Sequence, residues 1–207
     1  MKKPKQLLPW KKDTLIETAI TSALGIDNAS VFVVLGAYKE EIETKIKSYP
    51  IGIIENKDWE NGLGTSITCG IKHIQKQKKI DGVLLMLADQ PLVSTNYLEL
   101  IISAFKINSQ YIVASKYPNE ILGVPALFDK YYFKDLELLT EDKGAKAILK
   151  RYTNNVATVN GSKLLVDIDT EEAYKKLIDS ETSSEWQFRV SYNVVSKFCH
   201  AELVSAS

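Results

Sequence analysis

The sequence predicts an α/β fold in which a mostly parallel sheet is flanked by helices. Strand-like apolar runs alternate with helix-like stretches in βαβα order. The runs at 31–35 and 82–87 are continuously apolar instead of alternating, as strands buried on both faces are. The chain has 207 residues, 45% of them hydrophobic and 25% charged, which suits one globular domain with a full core.

Each element has its own signal. Thr14 and Glu17 form a capping box, and Leu15, Ile16, Ala19, Ile20, Ala23 and Leu24 then share one helical face. The strand at 31–35 is closed by Gly36, and a helix over about 40–47 stops before Pro50. Residues 51–54 read as a short strand and 55–64 as a polar, glycine-containing loop. A helix over about 65–78 comes next, with Cys69 read as a buried small residue. After the strand at 82–87, Ser94 caps a helix with Leu98, Ile101, Ile102 and Phe105 on its apolar side. Strands are expected at 111–114, 124–128, 156–159 and 164–168, and helices at 129–138, 143–151 and from Thr170 to near Ile178. The domain therefore spans 1–180. Phe188, Val190, Tyr192 and Val194 alternate with period two like a half-buried strand, but they are followed by no β/α partner, so 181–207 reads as a tail outside the core.

Composition narrows the function classes. Lysine plus arginine and aspartate plus glutamate both number 26, so there is no overall basic field for nucleic acid or an anionic membrane. Two cysteines cannot supply a zinc site of about four ligands, and their scarcity fits a reducing compartment. No apolar run reaches the roughly 18 residues of a bilayer span, and the lysine-rich start lacks a signal-peptide core, so a cytoplasmic protein is expected.

In open α/β sheets ligands bind at the carboxyl ends of the strands, so the residues just past each strand are the first candidates for a site. Asp89 comes directly after the apolar run in Leu87-Ala88-Asp89-Gln90-Pro91, where a carboxylate can ligate a hard cation such as magnesium. Taken alone, an Asp capping the turn before Pro91 is the stronger explanation. In Asp167-Ile168-Asp169-Thr170 the two carboxylates would point the same way on a strand, though taken alone, capping of the next helix by Asp169 or Thr170 is the stronger explanation. Gly62-Leu63-Gly64-Thr65-Ser66 precedes a helix, where glycines let backbone amides approach a phosphate, though it matches no Walker or dinucleotide pattern. Lys5 could neutralise phosphate charge, but it is one of several terminal lysines.

Their joint order is more specific than any one of them. Across roughly residues 1–178 the chain resembles the molybdenum cofactor cytidylyltransferase branch of the molybdopterin nucleotidyltransferase family. The carriers are Lys3-Pro4-Lys5-Gln6-Leu7-Leu8-Pro9-Trp10, the stretch from Asn56 to Ser66, Leu87-Ala88-Asp89-Gln90-Pro91-Leu92, Gly123-Val124-Pro125-Ala126-Leu127-Phe128, Asp142-Lys143-Gly144-Ala145-Lys146 and Asp167-Ile168-Asp169-Thr170. The resemblance implies a Rossmann-like fold of the nucleotide-diphospho-sugar transferase kind. It implies transfer of a nucleotidyl group, CMP from CTP, to a molybdopterin-type acceptor with release of pyrophosphate, and a molybdoenzyme maturation partner. By the same resemblance Lys5 contacts the triphosphate, and Asp89 and Asp169, with Asp167, hold Mg2+. Asn56, Gly62, Gly64 and Ser66 line the base and phosphate region. Gly123, Pro125, Asp142, Lys143 and Lys146 shape the acceptor side.

The family begins with an apolar strand and a glycine-rich loop ahead of its Pro-Lys-Gln segment, and here Met1 stands at the end of that loop. The expected sheet therefore lacks its first, central strand, which would leave two neighbouring edges unpaired. A start lying upstream, a decaying gene, or a strand at 187–195 filling the gap would each account for this, the last being disfavoured. The alternative to an active transferase is a catalytically impaired nucleotide-binding module.

Overall fold

The computed structural model describes residues 4–76, 80–106, 110–140, 144–161, 163–168, 170–182 and 200–204, with 181–182 and 200–204 described by backbone alone. A 3-10 turn at Lys5–Leu7 leads into the antiparallel pair β1 (Pro9–Trp10) and β2 (Asp13–Thr14). Thr14 caps α1 (Leu15–Leu24): Glu17 N–H donates to Thr14 Oγ1 at 3.4 Å, and Thr14 N–H to the Glu17 carboxylate at 3.0 Å. Then come β3 (Phe32–Leu35), α2 (Lys39–Ile46), β4 (Gly52–Glu55), α3 (Leu63–Ile74), β5 (Gly82–Met86) and α4 (Thr95–Ala104). The second half comprises β6 (Ile112–Lys116), β7 (Leu122–Asp129), α5 (Phe133–Glu137), α6 (Lys146–Arg151), β8 (Val156–Asn160), α7 (Glu171–Thr182) and β9 (His200–Val204).

Seven strands form one sheet in the order β4-β3-β9-β5-β7-β6-β8. β7 runs antiparallel to β5 and β6, and every other pairing is parallel. Because successive side chains on a strand face opposite ways, each strand feeds two cores. Val33, Leu35, Leu84 and Met86 pack with α1, α2 and α4 on one face. Phe32, Val34, Val83 and Leu85 pack with α3, α5 and α6 on the other. The continuously apolar runs are thus doubly buried strands, as expected. No helix among the described residues is long and apolar enough to cross a membrane.

The tail is where the structure departs most from the sequence-based expectation. Residues 200–204 are not outside the core: β9 lies between β3 and β5, parallel to both, pairing Val33 with Leu203 and Leu84 with Ala201. This is the central place in which no strand was expected. The physical reason is that β3 and β5 are buried on both faces, so their edge N–H and C=O groups need a partner strand. The period-two stretch at 188–194, and the strand considered at 187–195, lie outside the described residues.

Other boundaries are corrected as well. Residues 164–168 form no strand. Leu164 and Leu165 donate their N–H groups to Gly161 O at 2.7 and 3.0 Å, and Leu165 and Ile168 bury in two different clusters. Asp167 therefore lies on irregular backbone and not on a strand face, and Asp169 lies outside the described residues. α5 and α6 are shorter than the helices expected at 129–138 and 143–151, and α7 is longer than expected. Cys69 is only half-buried, its thiol 3.5 Å from Glu55 O.

Candidate functional site

The site is assembled at the carboxyl ends of the parallel strands, where unpaired backbone groups and loops converge. β5 ends at Met86, and the chain turns through Ala88 to Asp89, which is 7% exposed. Lys5 Nζ donates to Asp89 Oδ2 at 2.6 Å. Lys5 is held there by its 3-10 turn, beyond which the β1–β2 hairpin buries Trp10 against Leu15, Ile168 and the apolar side of α7. The other Asp89 oxygen, Oδ1, is buried with no hydrogen-bond partner among the described residues.

Asp167 is brought to the same place by two tethers. Ile168 N–H donates to Asp89 O at 3.0 Å, and Gln90 Nε2 donates to Asp167 Oδ1 at 2.7 Å. Lys5 and Asp89 are thus joined directly, and Asp167 is tied to them through Gln90 and Ile168 on irregular backbone. Thr170 does cap α7, its Oγ1 accepting from Ala173 N–H at 3.1 Å. A buried carboxylate oxygen without a donor, beside a second carboxylate, is the oxygen-rich donor set that a hard divalent cation takes, so these residues fit magnesium or manganese. Among the described residues no group of three or more His, Cys, Asp or Glu side chains forms a fuller metal cluster.

A second cluster closes β4. Asn56 is buried, and its N–H donates to Leu35 O at 2.8 Å, clamping the β4 exit to β3. Its Nδ2 donates to Thr65 Oγ1 at 2.9 Å and Ser66 Oγ at 3.0 Å, and its Oδ1 accepts from Asp58 N–H at 3.0 Å. Asn56 is therefore committed to building the loop. Gly62 carries φ 95° and ψ 174°, a backbone region essentially open only to glycine, and opens α3 with no side-chain cap. Thr65 N–H donates to Gly62 O at 3.1 Å, and no side chain caps the α3 amides ahead of it. In strand order β4 and β5 stand three spacings apart, about 14 Å.

The acceptor-side residues divide. Gly123 and Pro125 lie buried in β7 beside the Asp89 cluster, with Pro125 O accepting from Ser115 Oγ at 2.6 Å. Lys146 opens α6 and is exposed, and Gly144 packs against Leu63, joining that segment to the start of α3. Asp142 and Lys143 lie outside the described residues. Sequence reasoning missed two residues, Gln90 and Tyr117. Tyr117 stands directly after β6, so the strand-end rule that found Asp89 would have found it. Burial, and then the Asp167 charge, push its hydroxyl pKa well above the ordinary tyrosine range.

This sheet, with its strand-end carboxylates and uncapped helix start, is that of the nucleotide-diphospho-sugar transferase class. A homologue of Mycobacterium tuberculosis rv0371c from Mycobacterium sp. strain JC1 superposes with TM-score 0.75 at 23% identity, covering 88% of this chain and 90% of that one. Rv0371c of M. tuberculosis H37Rv, solved in complex with manganese, gives 0.70 at 24% identity, covering 86% and 92%. The chain belongs to the family of MobA-like NTP transferase domains, which matches residues 1–156. Nicotine blue oxidoreductase of Paenarthrobacter nicotinovorans is 34% identical over 91 residues, 44% of this chain and 43% of that protein, so the match spans less than half of that relative.

Proposed function

We propose that the chain transfers a nucleotidyl group, cytidylyl from CTP, to a molybdopterin-type acceptor and releases pyrophosphate, in the cytoplasm and in the service of molybdoenzyme maturation. The observation that carries this reading is the Lys5–Asp89–Asp167 cluster: a lysine 2.6 Å from a carboxylate whose second oxygen is buried and unpartnered among the described residues, tethered to a second carboxylate. An acceptor phosphate oxygen attacks the α-phosphorus in line. The new P–O bond forms as the bond to the β-phosphate oxygen breaks, and pyrophosphate leaves with its electron pair. Lys5 swings its ammonium between Asp89 and the triphosphate, neutralising charge that develops on the leaving group. Asp89 and Asp167, with Asp169, would hold Mg2+, which when bound neutralises and aligns phosphate oxygens. The uncapped amides of α3 receive phosphate, and the 123–125 segment with Asp142, Lys143 and Lys146 borders the acceptor. Catalysis is then alignment and charge neutralisation, with no covalent protein intermediate.

Pyrophosphate release from CTP, Mg2+ and molybdopterin cofactor tests the reading. Competition among the four nucleoside triphosphates tests the base. Asp89→Asn should lower the rate by about a hundredfold or more. The fold should survive within about 1 kcal/mol, because the Lys5 partner is partly exposed. Wild-type chain that binds CTP tightly with magnesium yet releases no pyrophosphate would instead support a nucleotide-binding module without catalysis.

A further inference from the structure

We infer that Gln90 is a positioning residue: its carboxamide sets the Asp167 carboxylate against the Asp89 site and ties both to the Tyr117–Val124 segment. This rests on the nucleotidyl-transfer reading of the site for its purpose, though not for its geometry. Gln90 is 1% exposed. Its Nε2 donates to Asp167 Oδ1 at 2.7 Å and to Tyr117 Oη at 2.5 Å, with Val124 O at 3.4 Å. Tyr117 Oη spends its one proton on Val124 O at 2.6 Å, so it can only accept from Gln90. The amide orientation is thereby fixed. Turned over, its oxygen would face a carboxylate at contact distance, with no proton between them.

The fixed orientation has a cost that a purely structural role would avoid. It leaves Gln90 Oε1 buried without a donor among the described residues, next in the chain to Asp89, whose Oδ1 is in the same condition. Buried acceptors without partners are rare, and a glutamine that served packing alone would gain by being apolar. What the amide supplies in return is aim. Asp167 sits on backbone that is neither helix nor strand, so no regular ladder orients its side chain. Besides the backbone tether at Ile168, the Gln90 amide holds the carboxylate itself. Hydrogen bonds of this kind orient metal-holding carboxylates and tune their affinity.

The same amide reaches the acceptor side. A methyl group at Gly123 would lie 2.7 Å from Tyr117 Cε2, so the absent side chain at 123 is what lets the ring lie flat against β7 and present its hydroxyl to Gln90. Gly123 therefore acts on the site through Tyr117 and Gln90, which gives that glycine a physical role beyond lining a cavity.

Gln90→Leu keeps the volume and removes both donors. Mn2+ binding to the full chain in the presence of CTP, monitored by electron paramagnetic resonance, should weaken about tenfold or more in Gln90→Leu. CTP binding without metal should stay within about twofold of wild type, a split that loss of packing would not produce. In turnover, the Mg2+ concentration for half-maximal rate should rise by a similar factor, with rate recovered at high Mg2+. Should Gln90→Leu fail to fold, Tyr117→Phe, which removes one acceptor of the same amide, is expected to give a weaker change of the same kind. Unchanged Mn2+ affinity in a folded Gln90→Leu chain overturns the inference, as does wild-type chain that binds no Mn2+ with CTP. Mn2+ binding that depends on Gln90 in a chain releasing no pyrophosphate upholds the inference and removes the transfer reading alone.

Discussion

Removing residues 183–207 should unfold the domain. The deletion takes away β9, which pairs at three positions with β3 and at four with β5. A parallel ladder supplies roughly one hydrogen bond per paired residue, and at about 1 kcal/mol each seven pairs come to about 7 kcal/mol. A domain of this size is stable by about 5–15 kcal/mol in total, so the ladder alone is half or more of the margin. Burial makes the loss worse: Val33, Val34, Leu84, Leu85 and Met86, each at most 2% exposed, would flank a slot open to water. Thermal unfolding monitored by far-ultraviolet circular dichroism, with analytical centrifugation for aggregation, reads the outcome. The expected result is loss of the cooperative transition, or a midpoint lowered by well over 10 °C. Leu203→Pro in the full chain is the finer test, because it removes one ladder donor between Val33 and Met86 and places proline in a central strand. A truncated chain that melts cooperatively at the wild-type temperature, together with an unaffected Leu203→Pro, would refute the placement of β9.

Local geometry gives two further outcomes. Gly62→Ala forces a Cβ onto φ 95°, ψ 174°, which should cost about 1–3 kcal/mol and shift the start of α3, seen as a lower midpoint together with weaker CTP binding. Tyr117 has a folded pKa raised above the unfolded value near 10, so the stability it contributes is complete below about pH 10 and is lost as pH climbs toward the folded value. The wild-type melting temperature should therefore fall more steeply between about pH 10 and 11.5 than that of Tyr117→Phe; coincident slopes would show that the phenol is not held neutral by its surroundings.

The sequence is most legible where one residue type answers one physical demand. Runs without polar interruption at 31–35 and 82–87 have to be doubly buried strands, and Thr14 with Glu17 has to open a helix. Asp89 stands out because a polar residue just past a buried strand lies where ligands bind. Asn56 stands out as part of a motif, but its side chain proves to hold the loop together, which spacing alone does not reveal. Gln90 escapes notice because a neutral amide carries no charge signal; its meaning lies in three partners from distant parts of the chain. The strand expected at 164–168 does not form because apolar residues three apart, Leu165 and Ile168, bury into two separate clusters without any sheet partner. β9 is missed for a related reason. Five residues, with polar His200 at the start and polar Glu202 in the middle, carry too little pattern to announce a central strand, and only the unmet edges of β3 and β5 define where they belong.

That placement also constrains the order in which the molecule can be built. β3, β5 and the helices between them are near one another in sequence and can condense early, yet the strand that joins them comes more than a hundred residues later. Contacts so remote in sequence slow folding, because loop closure precedes the gain from pairing. Until β9 arrives, two apolar strand edges face each other across an open slot, and any extended segment with free backbone groups can occupy it, including β9 of another copy. Refolding yield should therefore fall as protein concentration rises, and a peptide covering 198–207 supplied early in refolding should restore it.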